Sequence, residues 1–374
     1  QNQSGSSGIA SDNTAIGANA GEDVTTATRM VIIGTNAGKD ITTGGSGTMV
    51  GWRAGYTTTT GASNTFIGNY SGYSNITGYS NVALGGSSMD NGTKASNSVG
   101  IGLSALGYLG HTIEKEYTVA IGNLSGQYAT GSYNTFVGGK AGRGGTTSAP
   151  FSSGENNTAV GYQALGGFTT GQGNTAVGYS AGNAVKTGTE NTFLGYLAGY
   201  NATGSESSGV AVGSHAGYQN RMASVVYVGR YAGYAGSGHI GVGNIAIGHQ
   251  ALFTNRSTDE TGMKWNIAIG RSAMSNTTDT LGAAHSNVAI GYYALNNIES
   301  GSRNIAIGGQ QGGGDGGTGE FLKNGDDNTF VGSKAGQGID SGNIHSSQNV
   351  FIGSIAGGNQ NGVNYNVGVG YKAL

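Results

Sequence analysis

The acidic side chains in and around one glycine-rich segment, residues 312–327, are the strongest candidates for ligand chemistry in this sequence. They are Asp315, Glu320, Asp326 and Asp327. Carboxylate oxygens on a flexible loop are the hard ligands that Ca²⁺ prefers. The segment therefore indicates a weak calcium site. Against it, a single acidic loop is ordinarily just solvated, and the repeated GGxGxDxUx nonapeptide of calcium-binding β-rolls is absent.

The other chemically active residues show no spacing typical of a catalytic or metal site. The chain has no Cys, which excludes thiol catalysis and Cys-ligated zinc, and no glycine-rich segment ends in the GK[ST] of a phosphate-binding loop. No cluster of carboxylates recurs on neighbouring repeats to suggest glycoside hydrolysis. We therefore predict no catalytic residue, no cofactor and no enzymatic activity. The six histidines lie singly along the chain, at His111, His215, His239, His249, His285 and His345.

The composition excludes several classes of protein. Of 374 residues, 76 are Gly, one is Pro and 10% are charged, and the formal net charge is −2. A balance so close to neutral gives no electrostatic footprint for nucleic acid. The sequence contains no apolar run long enough for a membrane-spanning helix. Gly, Asn, Ser and Thr in this abundance favour either disorder or a repetitive β structure built from turns and short strands.

An internal repeat decides in favour of an ordered fold. Residues 13–21 read NTAIGANAG, 64–72 read NTFIGNYSG, and 157–165 read NTAVGYQAL. Twenty copies align on the Gly that follows the aliphatic residue, from Gly17 to Gly370, and the first five spacings are all 17 residues. The residue before this Gly is Ile, Val or Leu in all twenty copies, whereas a disordered low-complexity tract would not keep one column purely aliphatic.

The repeat predicts an all-β parallel β-solenoid of about 20 coils with a 17-residue base period. We expect one repeat domain over residues 1–374, with a leading segment 1–12 and motif repeats 13–374. Each coil would hold two short strands, the motif itself and a weaker second strand. The Gly of a following Thr-Gly pair, such as Gly78 or Gly131, would supply the positive φ of a tight turn. The second strands would include residues 23–26, 40–43, 74–77 and 184–187.

The alternation of strand side chains gives a first prediction of the core. In residues 157–165, Val160 and Ala164 lie an even number of residues apart, so period 2 places both on one face, which we take as the inner one. Val177→Asp would then bury an unpaired charge and cost several kcal/mol. The predicted core column comprises Ile16, Ile33, Val50, Ile67, Val160, Val177, Leu194, Ile247, Ile269, Ile290, Ile307, Val331 and Ile352.

A second column predicts a polar ladder at one corner of the coil. Asn occurs four residues before the motif Gly in fourteen copies. Asn tolerates the left-handed region that a corner needs, can bond its own backbone, and can stack its amide along the axis as in cross-β structures. The predicted ladder comprises Asn13, Asn64, Asn157, Asn174, Asn191, Asn244, Asn266, Asn287 and Asn304.

The unit N-[TSV]-[AFV]-[IVL]-G-x-x-A-[GL] resembles the head repeats of trimeric autotransporter adhesins and the shaft repeats of bacteriophage tail fibres. The resemblance extends over residues 13–374. It implies a left-handed parallel β-roll with three chains to a fibre, although adhesin heads use a somewhat shorter coil. Residues 160–165, VGYQAL, also match the hexapeptide of left-handed β-helix acyltransferases, but those enzymes need three hexapeptides per 18-residue coil and only one side matches here.

These observations together favour a structural, non-enzymatic extracellular fibre or filament protein with adhesive surface loops. The predicted core is thin, so we expect several copies of the chain to cover one sheet face together, as a homotrimer or a head-to-tail filament. A surface glycan or host receptor is a possible further partner, at the cell surface or on a virion. A tail-fibre segment that binds a host glycan, and a head-to-tail polymerising filament subunit, are the alternatives.

Overall fold

The computed structural model describes most of the chain, and all structural statements below concern the described residues. Asp315 and most residues of the long insertions after residue 253 lie outside them. The described residues are 12–111, 114–148, 151–202, 207–220, 223–236, 241–254, 256–257, 263–275, 278–279, 284–309, 317–320, 322–337, 346–358 and 362–374.

The chain forms two compact units, Gln1–Thr189 and Glu190–Leu374, and each repeats the same short strand. The first unit contains β1 Thr14–Ile16, β2 Val31–Ile33, β3 Thr48–Val50, β4 Thr65–Ile67, β5 Val82–Leu84, β6 Ala95–Ser96, β7 Val99–Ile101, β8 Lys115–Glu116, β9 Val119–Ile121, β10 Thr135–Val137, β11 Thr158–Val160 and β12 Thr175–Val177. The second unit contains β13 Thr192–Leu194, β14 Val210–Val212, β15 Val226–Val228, β16 Ile245–Ile247, β17 Arg256–Ser257, β18 Ile267–Ile269, β19 Thr278–Asp279, β20 Val288–Ile290, β21 Ile305–Ile307, β22 Thr329–Val331, β23 Val350–Ile352 and β24 Val367–Val369.

Parallel pairing of these strands in constant register defines the fold. In β11 and β12, Thr158 pairs with Thr175 and Val160 with Val177, so equivalent motif positions lie directly above one another. Each unit contains ten three-residue strands that pair in this way. The chain makes one turn of the solenoid between consecutive strands, so each unit has nine complete turns. Two-residue strands form separate parallel pairs, β6 with β8 and β17 with β19. The predicted all-β parallel β-solenoid is confirmed; its left-handedness and the single domain over 1–374 stay predictions.

The motif Gly ends each three-residue strand because no other residue fits there. Gly161 has a φ of +127°, and a Cβ built on it would lie 2.5 Å from the carbonyl oxygen of Gly178 in the next coil. Positive φ at this angle is disfavoured for L side chains, and the contact distance excludes any side-chain atom. Conformation and close approach together explain why this column contains Gly in every copy.

The corner turn does not use the asparagines in the way the sequence suggests. The residue with left-handed φ is the one before each Asn, for example Ser63 (φ 57°) before Asn64 and Asn156 (φ 59°) before Asn157. None of the ladder asparagines has a positive φ. The prediction of a left-handed Asn was wrong. The Asn amide forms hydrogen bonds to the neighbouring coils, and the residue before the Asn, whose type varies, adopts the left-handed conformation of the turn.

The predicted second strands at 23–26, 40–43, 74–77 and 184–187 are turns and bends. Their backbones still bond to the next coil, as when the Thr25 amide and hydroxyl both donate to the Thr42 carbonyl at 3.0 and 2.9 Å. Each of these segments contributes a buried residue to the interior, as Ile41 and Val185 do, although in 74–77 that residue is the polar Asn75. One inward residue between two turns is too short a run to form a strand.

The glycine of the Thr-Gly pairs also has a different cause from the one predicted. Gly78 and Gly131 do not have positive φ. A Cβ on Gly78 would instead collide with the carbonyl of Ala95, and one on Gly131 with the carbonyl of Gly154, each in the next coil. Glycine is required here because successive coils approach each other closely, so the prediction of a positive-φ turn was wrong.

The predicted aliphatic core column lies on the outside of the coil. The middle residue of each strand points inward, as Ala159, Ala176 and Phe193 show with no exposed surface, and the Ala three residues after the motif Gly joins it inside. Val160 and Ala164 do not share a face, because the glycine between them turns the chain and ends the alternation. None of the predicted core residues is buried: Ile16, Ile33, Val50, Ile67, Val160, Val177, Leu194, Ile247, Ile269, Ile290, Ile307, Val331 and Ile352.

In most coils two inner positions are matched in size, although some coils carry two small residues there, such as Ala176 and Gly182. Where the middle strand residue is large, such as Phe66, the residue four after the motif Gly is glycine, here Gly72. A Cβ on Gly72 would lie 2.5 Å from the Phe66 ring. Where the middle residue is Ala159, the same later position holds a buried Leu165 at a φ of 47°. Two positions six residues apart thus share one volume, which keeps the interior close-packed.

Candidate interaction surfaces

The asparagine column forms ladders of buried hydrogen bonds between coils, interrupted at Met30 and Gly47 in the first unit and at Gly209 and Val225 in the second. Asn157 Nδ2 donates to Asn134 Oδ1 at 3.2 Å and to the Gly171 carbonyl at 2.9 Å. Asn157 Oδ1 accepts in turn from the backbone and side-chain nitrogens of Asn174, at 3.0 and 3.1 Å. Because each amide satisfies both its donors and its acceptor, the ladder holds polar groups inside the coil at little cost.

The nine asparagines predicted for the ladder all occupy this corner, and further members join them. Eight of the nine are buried, and Asn13 is half-buried, where its Nδ2 donates to the Ala27 carbonyl at 2.9 Å. Ser98 and Thr118 continue the ladder in the first unit with hydroxyl groups. Five more asparagines belong to it: Asn81, Asn134, Asn328, Asn349 and Asn366.

The residue before each motif Gly forms an exposed row on the outer face of the sheet, which we call the aliphatic stripe. In the first unit Ile16 is 59% exposed, and in the second unit Leu194 is 47% exposed. The stripe of the first unit comprises Ile16, Ile33, Val50, Ile67, Leu84, Ile101, Ile121, Val137, Val160 and Val177. The stripe of the second unit comprises Leu194, Val212, Val228, Ile247, Ile269, Ile290, Ile307, Val331, Ile352 and Val369.

The first residue of each strand forms a parallel row beside the stripe. In the first unit this row alternates irregularly between Thr and Val, with Thr158 and Val82 as examples. In the second unit it is aliphatic in eight of ten strands, as at Ile245 and Ile267. The outer face of the second unit is therefore more apolar. Sequence analysis missed this surface because it assigned the aliphatic column to the interior.

Aromatic rings form a second kind of surface feature, along the turn that follows the stripe. In the second unit Tyr200, Tyr218, Tyr234 and Phe253 stack in sequence, with centroids 5.6, 5.3 and 5.0 Å apart and interplanar angles of 8 to 11°. Burial raises the pKa of Tyr218. His215 packs against this stack, and burial followed by the charge of Arg230 lowers its pKa. The rings cover one another's faces and so mainly stabilise the turn.

Tyrosines directly after the motif Gly lie beside the aliphatic stripe. Tyr162 and Tyr179 are 43% and 47% exposed, and their rings stack with centroids 5.6 Å apart. Tyr196 is similarly exposed in the second unit. These rings widen the apolar outer face by one column where they occur.

The predicted calcium ligands are used for other contacts or lie apart. Arg303 donates to both carboxylate oxygens of Asp327, at 2.7 and 3.0 Å, which lowers the pKa of that carboxyl. Asp326 accepts from the Ser302 backbone amide at 2.7 Å, and buried Glu320 accepts from the Gly317 amide at the same distance. A guanidinium group held between carboxylates opposes a cation there. Within the described residues the calcium interpretation therefore finds no support.

Candidate groups for metal or membrane chemistry do not assemble elsewhere in the described part of the chain. No three His, Cys, Asp or Glu side chains there lie close enough to hold a metal ion. His111 and His285 contact backbone or hydroxyl groups singly, and His239 and His345 lie outside the described residues. No helix in the described ranges is long and apolar enough to cross a membrane.

No protein-family model matches the chain, and no curated protein matches it significantly. Of the surfaces described above, the aliphatic stripes are the most extensive.

Proposed function

We propose that this protein is a structural, non-enzymatic subunit of an extracellular fibre or filament, and that copies of the chain associate through the aliphatic stripes. The observation that carries the proposal is an unburied aliphatic residue on the outer face of every one of the twenty motif strands, exposed in ten of them and half-exposed in the other ten. Water-exposed Ile, Val and Leu in a contiguous row are unfavourable in a monomer and are typical of protein–protein contact surfaces.

The outer face of each unit supplies part of the area that such a contact needs. Nine spacings of about 4.8 Å give each unit a stripe about 43 Å long. With the neighbouring row, its width is roughly 7 Å, so each unit offers about 300 Å², at the scale of functional patches on monomers. A stable interface buries about 800 Å² per partner. The exposed tyrosines beside the stripe, such as Tyr162 and Tyr179, would contribute the additional area.

The resemblance of the repeat to adhesin heads and tail-fibre shafts supports three chains around one axis. Three copies would turn their outer sheet faces toward one another and remove the aliphatic rows from water. A parallel β-solenoid is suited to this role, because backbone hydrogen bonds between coils give cohesion along the axis without a large core. A head-to-tail filament subunit and a tail-fibre segment that binds a host glycan remain the alternative proposals.

The test is the assembly state of the wild type and of two variants in the same coil. Val177→Asp places a charge in the aliphatic stripe, and Gln172→Glu adds the same charge at an exposed corner position away from it. We expect the wild type and Gln172→Glu to have about three chain masses by light scattering, and Val177→Asp to dissociate to single chains with an unchanged circular dichroism spectrum.

Other results would overturn parts of the proposal. A wild type that stays monomeric at micromolar to millimolar concentration, or a Val177→Asp protein of unchanged mass, would contradict association through the stripe. Long filaments with an axial repeat of one chain length in electron micrographs would favour the head-to-tail alternative over the trimer.

A further inference from the structure

A polar cleft of about 170 Å³ lies on the surface of the first unit, across three successive coils. It exists because one column lacks a side chain in the middle coil. Five residues after the motif Gly, these coils carry Arg143, Gly166 and Asn183. In the second unit the same column carries stacked rings such as Tyr218 and Tyr234, which leave no gap. The cleft is the space that a side chain at position 166 would fill.

Two cationic side chains line this cleft without a carboxylate partner. Lys140 and Arg143 both face it, and no ion pair is recorded for either within the described residues. Aromatic rings lie near both groups: Lys140 Nζ is 5.7 Å from the Tyr162 ring centroid, and the Arg143 guanidinium is 5.3 Å from that of Tyr128. Two like charges that share a small cleft favour an anion between them.

Neighbouring contacts hold the cationic groups and the amides in position. Arg143 Nε donates to Gln127 Oε1 at 3.1 Å, which leaves the terminal nitrogens of the guanidinium for a ligand. Asn183 Nδ2 donates to the Gln163 carbonyl at 3.0 Å, so its side-chain oxygen remains as an acceptor. Planar guanidinium groups match carboxylates with two parallel hydrogen bonds. The site therefore combines a positioned guanidinium group, a lysine and neutral polar groups.

A ring surface lies next to these groups. Tyr162 is 43% exposed, and Gly139 in the preceding coil has no side chain to cover it. Tyrosine rings pack against apolar surface while their hydroxyl groups remain in water. The C–H face of a pyranose is such a surface, and its hydroxyl groups would meet Gln163 and Asn183. An anion alone would not need this combination of charge, amides and ring.

We propose that this cleft binds the carboxylate of a hexuronic acid residue in an acidic saccharide. Arg143 and Lys140 would pair with the carboxylate, and Gln163 and Asn183 would bond the sugar hydroxyls. The inference gives the adhesive part of the proposed function a site and a substrate class. It does not depend on the stripes, so binding and assembly can fail separately.

The test uses the full-length protein and three small probes measured by NMR titration. Methyl glucuronide carries both the ring and the carboxylate, methyl glucoside carries the ring alone, and acetate carries the carboxylate alone. We expect the glucuronide to bind at least ten-fold more tightly than either partial probe, with an affinity that falls as salt is added.

Variants locate the binding at the cleft. Arg143→Gln and Lys140→Gln should each weaken glucuronide binding about ten-fold. Gly166→Leu should abolish it, because the new side chain would occupy the cleft. The closest atom to a Cβ at 166 is Asn183 Nδ2, a movable amide 2.8 Å away, and Gly166 does not have positive φ. Lys334→Gln is the matched control, since Lys334 occupies the position equivalent to Lys140, with φ values of 59° and 58°.

Each result decides the proposal. Equal binding of acetate and glucuronide would overturn the saccharide part, and equal binding of glucoside and glucuronide would overturn the charge part. No measurable binding of the glucuronide, or the same binding in Gly166→Leu as in the wild type, would overturn the site altogether. Light scattering of the cleft variants should give the mass of the wild type, which separates loss of the site from loss of assembly.

Discussion

At the scale of single residues, the side of the coil that a residue occupies depends on its position within a three-residue strand. Ala176 and Val177 are neighbours in β12, yet Ala176 has no exposed surface and Val177 is half-exposed. The column with the stricter apolar composition is the outer one. Its uniform Ile, Val and Leu agree with a flat contact surface, whereas the inner column varies from Ala to Tyr.

Charge substitutions at these two positions should therefore differ in their effect on stability. Ala176→Asp buries an unpaired carboxylate and should lower the free energy of unfolding by about 3 kcal/mol or more. Val177→Asp leaves the carboxylate in contact with water, so we expect a loss of about 1 kcal/mol or less when the chain is monomeric. Urea denaturation under dissociating conditions measures both, and a larger loss for Val177→Asp would reverse the inward and outward assignment.

Asp90 gives the molecule a local pH dependence. Burial raises its pKa from 3.8 to about 6, against hydrogen bonds that include one from Asn91 Nδ2 at 2.9 Å. Between these two values the folded state holds the proton and the unfolded state has lost it, so stability falls as the pH rises through about 4 to 6. Asp90→Asn removes this contribution. The difference in melting temperature, wild type minus variant, should decrease from pH 4 to pH 7; a constant difference would contradict the burial of the charge.

At the scale of one coil, the interior is filled by pairs of residues rather than by single columns. Phe66 with Gly72 and Ala159 with Leu165 are two solutions for the same volume. The sequence contains this signal, because large middle residues and a later Leu or Met do not occur in the same coil. The signal is lost when each position of the repeat is compared separately across the coils. The middle position of the strand then looks too variable to belong to the core.

Replacement of the Phe–Gly pair in one coil by the Ala–Leu pair found in others tests whether the two positions share one volume. Phe66→Ala should create a cavity and cost about 3 to 5 kcal/mol. Gly72→Leu alone should be destabilising as well, since its Cβ would lie 2.5 Å from the Phe66 ring. In the double variant the leucine fills the space that the ring leaves, so the two losses should fall short of additivity by at least about 1 kcal/mol. Additive losses in thermal or urea unfolding would show that the two positions are independent.

At the scale of the whole molecule, the 17-residue repeat and its purely aliphatic column were enough to predict a parallel solenoid. A period of this length admits one coil and excludes helical hairpins. The inward side could not be predicted in the same way, because the motif Gly ends the period-2 alternation between Val160 and Ala164. Side chains alternate between the two faces only within a strand. A strand of three residues is too short for this alternation to show which of its side chains point inward.

Surface sites were harder still to predict, because they depend on contacts between coils. The cleft arises from the vertical relation of Arg143, Gly166 and Asn183, which lie 23 and 17 residues apart in the sequence. That these residues share one position of the repeat is visible only after the coils are aligned. The insertion after Arg143 changes the spacing from 17 to 23 residues and makes this alignment difficult to recognise. Glu320, Asp326 and Asp327, in contrast, attracted attention because they are close in sequence, yet these described residues do not form a group that could hold a metal ion.

The backbone hydrogen bonds between coils have a mechanical consequence. In the described parts of each unit, the backbone of a coil bonds to the coils before and after it, as from Gly161 to the Val137 carbonyl and from Gly178 to the Val160 carbonyl. A force that pulls the ends of one unit apart acts along these bonds and loads the terminal coil first. Release of one 17-residue coil adds about 58 Å of extended chain. Under tension the protein would therefore lengthen in discrete steps and dissipate work at each one.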